Sequence, residues 1–269
     1  MAERVLTMAT KPLFIVVCGD GINCERETAF ALEHAGGQAK TVHVNDLIAA
    51  PDMLKTADGL AIPGGFSFGD ELGSGQILAL KIRHKLGDKF FKMVEAKKPV
   101  IGICNGFQVL VKLGLLPYPD ASERILALAA NEQGGFINRW VTLDVNANSV
   151  CQWTQGLGKT QIELPIRHGE GRIAFKKGEE QKEYQALIDK GLVPLTYAEE
   201  VNGSYGRIAA LTDPSGMVLG LMPHPEAFMF AETYRNTHEH ATAKGDGALI
   251  FDSMLRVLKG EEKNERRAG

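Results

Sequence analysis

The chain has 269 residues, 44% hydrophobic and 23% charged, with 30 basic against 33 acidic side chains and a formal net charge of -3. That composition suits a soluble globular protein, long enough to bury a large α/β core without disulfide or metal staples. It argues against nucleic-acid binding, because no basic stripe stands out, and against a membrane span, because no apolar run reaches about 20 residues.

The predicted elements alternate from the start. After an N-terminal arm over residues 1–11, residues 13–17 form a continuous apolar run of strand length, as expected in the middle of a parallel sheet. That run is too short for the core of a signal peptide. Residues 25–35 have helical spacing with acids early, and Gly36-Gly37 stops them. Residues 39–44 alternate like a strand, 59–62 form a third short strand, and 76–86 and 90–96 read as helices. A fourth strand, Val100 to Ile103, runs directly into a helix from Gly106 with Phe107, Leu110, Val111 and Leu113 on one face. Strands alternating with helices predict a doubly wound, mainly parallel sheet flanked by helices. The second half adds strand-like segments at 136–145, 162–166, 206–211 and 217–222, then a helix at 245–258 and a charged tail at 259–269. No repeat or linker separates the halves, so one domain is expected over 12–258.

Four cysteines are present, Cys18, Cys24, Cys104 and Cys151. None belongs to a Cys-x-x-Cys pair, so no metal site is expected, and free thiols suit a reducing cytoplasm. Cys104 stands apart. Gly102-Ile-Cys104-Asn-Gly106 is a Gly-x-nucleophile-x-Gly elbow, which lifts the side chain out of the sheet at a strand-to-helix turn. Its glycines leave room for the neighbouring backbone, and a helix N-terminus favours negative charge there. The same residues also fit a buried cysteine at a strand end. Pro223-His224-Pro225-Glu226 supplies a second constellation. Two prolines favour extended backbone, in which residues i and i+2 point the same way, so His224 and Glu226 become neighbours. Cys104, His224 and Glu226 together make a nucleophile, a general acid/base and its orienter. Gly64-Gly65, after the third strand, can turn a backbone N–H toward a ligand oxygen. With the N–H of Asn105 it would form an oxyanion hole.

Three near-motifs carry less. Gly19-x-Gly21-x-x-Cys24 has cysteine where a dinucleotide fingerprint needs its third glycine, although Asp46 lies near the ribose position. Gly158-Lys159-Thr160 ends like a phosphate-binding loop but has Trp153 where the loop's first glycine belongs. His238-x-His240 sits among charged residues that suggest a solvated segment.

Taken together, Gly-Ile-Cys104-Asn-Gly-Phe-Gln108, Pro-Gly-Gly-Phe-Ser-Phe-Gly-Asp70 and Leu-Met-Pro-His224-Pro-Glu226 resemble the class I glutamine amidotransferases. Three further stretches are similar to one family among them, the glutaminase subunits of phosphoribosylformylglycinamidine synthase. They begin at Asn131 (Asn-Glu-Gln-Gly-Gly-Phe-Ile-Asn-Arg-Trp), Pro165 (Pro-Ile-Arg-His-Gly-Glu-Gly) and Asn202 (Asn-Gly-Ser-Tyr-Gly-Arg-Ile-Ala-Ala). The resemblance implies a flavodoxin-like fold and hydrolysis of glutamine through a Cys104 thioester. It implies that Gln108 and Gly64 contact bound glutamine, and that His168 and Glu170 face a partner, although the His-Gly-Glu-Gly stretch fits a structural loop equally well. It further implies that ATP and Mg belong to a synthetase subunit, accompanied in some complexes by a small third subunit, with no cofactor on this chain. Open alternatives are the glutaminase of another amidotransferase, a different cysteine hydrolase, and a non-catalytic binding subunit.

Overall fold

The structure is a computed structural model that describes residues 10–119, 123–234 and 244–261. Most of the expected N-terminal arm and tail, and His238 and His240, lie outside the described residues.

The main sheet has nine strands in the order β2-β1-β3-β4-β11-β10-β9-β6-β7. Its first five are parallel: β1 (Leu13–Cys18), β2 (Gln38–His43), β3 (Gly59–Ile62), β4 (Val100–Ile103) and β11 (Val218–Leu221). Every residue of β3, β4 and β11 is buried, which accounts for their uninterrupted apolar character. Helices α1 (Glu25–His34), α2 (Val44–Ala49), α3 (Met53–Thr56), α4 (Gln76–Lys81), α5 (Asp88–Glu95) and α6 (Asn105–Lys112) fill the crossovers. The predicted 76–86 helix is continuous but changes pitch, widening to a π-type turn over Ile82–Leu86.

Between β4 and β11 the chain makes a long antiparallel excursion. Strand β5 (Leu126–Ala130) pairs with β8 (Glu170–Phe175) as a separate ribbon. Strands β6 (Ile137–Val145), β7 (Gln161–His168), β9 (Leu195–Tyr197) and β10 (Ile208–Thr212) extend the main sheet, and helix α7 (Glu180–Asp189) lies among them. Helix α8 (Asp246–Leu258) closes the described chain. One buried apolar cluster runs from Phe14 to Leu255, with Trp153 wholly inside and its indole N–H donated to the Met217 carbonyl at 2.9 Å. No helix among the described residues is long and apolar enough to cross a membrane.

Two of the near-motifs resolve into packing. Lys159 forms an ion pair with Asp246 at the start of α8, so it anchors a helix. Gly21 has φ +81 and lies against Phe66, where a Cβ would come 2.0 Å from the Phe66 carbonyl oxygen. The loop after β1 is therefore built to meet the loop after β3.

Candidate active site

Three adjacent parallel strands, β3, β4 and β11, end on the same edge of the sheet. Strands in a sheet stand about 4.8 Å apart, so loops leaving that edge meet although they are distant in sequence. Gly64-Gly65 follows β3, Cys104 follows β4 and His224 follows β11. This is the usual ligand edge of an open α/β sheet.

Cys104 is the elbow. Its φ of 50 and ψ of -104 are strained values for a side chain with a Cβ. A Cβ on Gly102 would come 2.6 Å from the Gly106 carbonyl oxygen, and one on Gly106 would come 1.8 Å from the Ile62 carbonyl oxygen. Both glycines are thus sterically required. The Cys104 N–H donates to the Leu221 carbonyl at 2.8 Å, which ties the elbow to β11. Its Sγ is 3.7 Å from the Arg167 carbonyl oxygen.

His224 is 3% exposed, and its N–H donates to the Pro165 carbonyl at 2.9 Å. Its Nδ1 lies 2.6 Å from Glu226 Oε1. The i, i+2 juxtaposition expected from the two prolines is present, with Glu226 in the middle of a short 3-10 turn over Pro225–Ala227. Burial alone would push the His224 imidazole down. The opposing charges of Glu226 and Cys104, with the Cys104 and Cys24 side chains close by, lift it well above its ordinary value.

Cys24 is a neighbour that sequence reasoning missed, having treated it only as a broken fingerprint position. Its sulfur, a ring nitrogen of His224 and a carboxylate oxygen of Glu226 lie within 4.8 Å of one another. The 2.6 Å between His224 Nδ1 and Glu226 Oε1 is a hydrogen-bond distance, shorter than the roughly 3.4 Å that separates two ligands of a tetrahedral zinc.

The Gly64-Gly65 loop is clamped against the loop after β1. The Asn23 N–H donates to the Gly64 carbonyl at 3.3 Å, and the Phe66 N–H donates to the Gly21 carbonyl at 2.7 Å. In a trans peptide the C=O and N–H point opposite ways, so the Gly65 N–H points away from Asn23. Gly64 packs on the His224 imidazole, where a Cβ would come 2.8 Å from His224 Cε1.

Asn105, named for its backbone N–H, also has a side-chain role. Its Oδ1 accepts from the Ser67 N–H at 3.2 Å, and its Nδ2 donates to Asp70 Oδ1 at 3.2 Å and Gln108 Oε1 at 2.9 Å. Gln108 Nε2 donates to the Glu170 carbonyl at 2.8 Å. The Gln108 amide thus braces the pocket wall at both ends. Glu170 itself accepts from the Ser74 hydroxyl at 2.7 Å.

One expectation is corrected. His168, assigned to a partner-facing surface, is 2% exposed and points into the protein, with Nδ1 3.1 Å from Asn131 Oδ1. The reason is register. Ile162, Leu164, Ile166 and His168 occupy alternate inward positions of β7, and the inward face continues to the strand's last residue. Burial, with the neighbouring charge of His224, holds its imidazole down to about 4.

The comparisons with known proteins agree with this architecture. A family model described as a CobB/CobQ-like glutamine amidotransferase domain matches residues 11–256. Phosphoribosylformylglycinamidine synthase subunit PurQ of Methanococcus maripaludis is 38% identical over 266 residues, covering 92% of this chain and 95% of that protein. The subunit of the same name from Dehalococcoides mccartyi is 39% identical over 240 residues, covering 88% of this chain and 93% of that one. A chain in the structure of PurLQS from Thermotoga maritima superposes with a TM-score of 0.73 at 34% identity, covering 93% of this chain and all (100%) of that one. With its family model spanning the parallel sheet and the excursion alike, the chain belongs to the glutamine amidotransferases, in the family of phosphoribosylformylglycinamidine synthase PurQ subunits.

Proposed function

We propose that the chain is the glutaminase of a phosphoribosylformylglycinamidine synthase. It hydrolyses glutamine to glutamate and ammonia and passes the ammonia to an ATP-dependent synthetase subunit, which converts formylglycinamide ribonucleotide to formylglycinamidine ribonucleotide. The observation that carries this reading is the strained Cys104 elbow beside a buried His224–Glu226 pair.

The Cys104 thiolate attacks the side-chain carbonyl of glutamine. The oxyanion is held by the N–H groups of Gly65 and Asn105. His224, charged and oriented by Glu226, protonates the departing nitrogen and then activates the water that cleaves the glutamyl thioester. Gln108 and Gly64 shape the wall against which glutamine lies. ATP and Mg are assigned to the synthetase, in keeping with a sequence whose Gly158-Lys159-Thr160 stretch anchors a helix.

The test is glutamate release from glutamine by the purified full chain, alone and with the synthetase subunit, ATP, Mg and formylglycinamide ribonucleotide. Release that requires Cys104 and rises in the complex is expected. No release under either condition overturns the reading.

A further inference from the structure

His168 has no part in the mechanism above, yet its position is tightly determined. Asn131 Nδ2 donates to the His168 carbonyl at 2.8 Å and to the Gly135 carbonyl at 3.1 Å. Two carbonyl acceptors fix the amide nitrogen on that side, and the Asn202 amide donates to the opposite Oδ1 at 3.3 Å. Asn131 therefore presents its oxygen to His168 Nδ1, which must carry the proton. In the neutral ring Nε2 is then a bare acceptor. That nitrogen is buried without a hydrogen-bond partner among the described residues. A buried, unpaired acceptor held by so complete a network calls for a donor that arrives later.

The surroundings identify the donor. The strand that carries His168 also supplies the Pro165 carbonyl to the His224 N–H and the Arg167 carbonyl against Cys104 Sγ. The His168 ring is close enough to His224 for the charge of one to oppose protonation of the other. The proposed reaction brings the amide end of glutamine to Cys104, against this strand.

Resting on the glutaminase reading, we propose that His168 Nε2 accepts a hydrogen bond from the side-chain amide N–H of bound glutamine. No bond is made or broken at His168, and it neither gives nor takes a proton. It orients the amide nitrogen and selects an amide over an ester of the same shape. Against glutamate, the same lone pair faces a carboxylate oxygen, which weakens product binding. Its depressed basicity keeps the ring an acceptor at neutral pH.

The experiment compares kcat/KM for glutamine with that for glutamic acid γ-methyl ester, which offers the same carbonyl but no N–H. The full chain is assayed alone and with its synthetase. His168→Leu is expected to lower the glutamine value about 10- to 100-fold, with the ester value changed by less than about twofold. His168→Gln, which restores an acceptor, is expected to recover part of the glutamine activity. Equal loss on both substrates, or none on either, overturns the proposal. If His168→Leu fails to fold, binding to Cys104→Ala protein replaces it: glutamine is expected to bind at least about tenfold tighter than the ester, and equal affinity overturns the proposal. If wild-type protein releases glutamate from neither substrate in any condition, the glutaminase reading itself falls, and this proposal with it.

Discussion

At the scale of the residue, the site separates into groups whose loss reads differently. Cys104→Ala is expected to abolish synthesis from glutamine while sparing synthesis from added ammonium, as the proposed division of labour between subunits requires. Equal loss with both nitrogen donors would contradict a separate glutaminase site. His224→Ala is expected to cost about 10²–10⁴-fold in turnover, the usual worth of a general acid/base. Glu226→Gln should cost less, since the imidazole stays and only its charged partner is lost. A silent Glu226→Gln would remove Glu226 from the orienting role. The two histidines also oppose one another in stability against pH. His224 is raised above its unfolded value, so its contribution is complete below about 6.5 and fades as pH rises through the folded value. His168 is depressed to about 4, so its contribution is present above its unfolded value and is lost as pH falls toward 4. That loss is on the order of 3 kcal/mol. Urea midpoints at several pH values are expected to fall less steeply toward acid in His168→Gln than in wild type.

At the scale of the element, the elbow was legible in the sequence because its chemistry and its sterics share five residues, Gly102 to Gly106. Extended backbone through Pro223-His224-Pro225 made the His224–Glu226 pair legible for the same reason: the whole arrangement is local. Elements that depend on distant partners were not legible. Helix α7 buries only Leu187, so its apolar face is too thin to show a period. Strand β9 has three residues, and its pairing with β6 and β10 comes from the sheet. The Asn105 side-chain network needs the Ser67–Asp70 turn folded over it, with Phe68 and Asp70 at φ 55 and 54, and nothing in Asn-Gly-Phe-Gln announces that. His168 was misread because His-Gly-Glu-Gly resembles a polar loop. The alternation of β7 did contain the signal. Two glycine substitutions test the steric account. Gly106→Ala is expected to destabilise the fold by about 1–3 kcal/mol, since the helix must move off Ile62. Thermal melting reads this directly. Gly65→Ala would place a methyl 2.5 Å from the Gly21 carbonyl oxygen. It is expected to lower glutaminase turnover more than it weakens complex formation, read by steady-state kinetics and analytical ultracentrifugation.

At the scale of the whole molecule, the hydrogen bond from Asn23 to Gly64 bears on coupling. At 3.3 Å it is the longer of the two ties that hold the loop, which makes the Gly64–Gly65 peptide the expected point of control. Phe66, the next residue, is 47% exposed and lies with the 56% exposed Phe136 at a ring separation of 6.3 Å. A partner resting on that pair could bias the peptide, and a shift of a few kcal/mol changes its population by orders of magnitude. The isolated chain is accordingly expected to hydrolyse glutamine slowly and the loaded complex much faster. A chain equally fast alone would rule out this control. The sheet order has a separate outcome, which concerns time. Val218 pairs with Val100 only after the entire antiparallel excursion has been made, so the strand that delivers His224 to Cys104 closes the longest loop in the sheet. Long-range pairings of this kind form late. A chain still being synthesised, or one cut short before β11, carries its cysteine elbow without the His224–Glu226 pair. Half-made protein is therefore expected to lack glutaminase activity, which a chain truncated before Val218 would test in a glutamate-release assay. In refolding experiments, glutaminase activity is expected to return with the last kinetic phase, after far-ultraviolet circular dichroism has begun to recover.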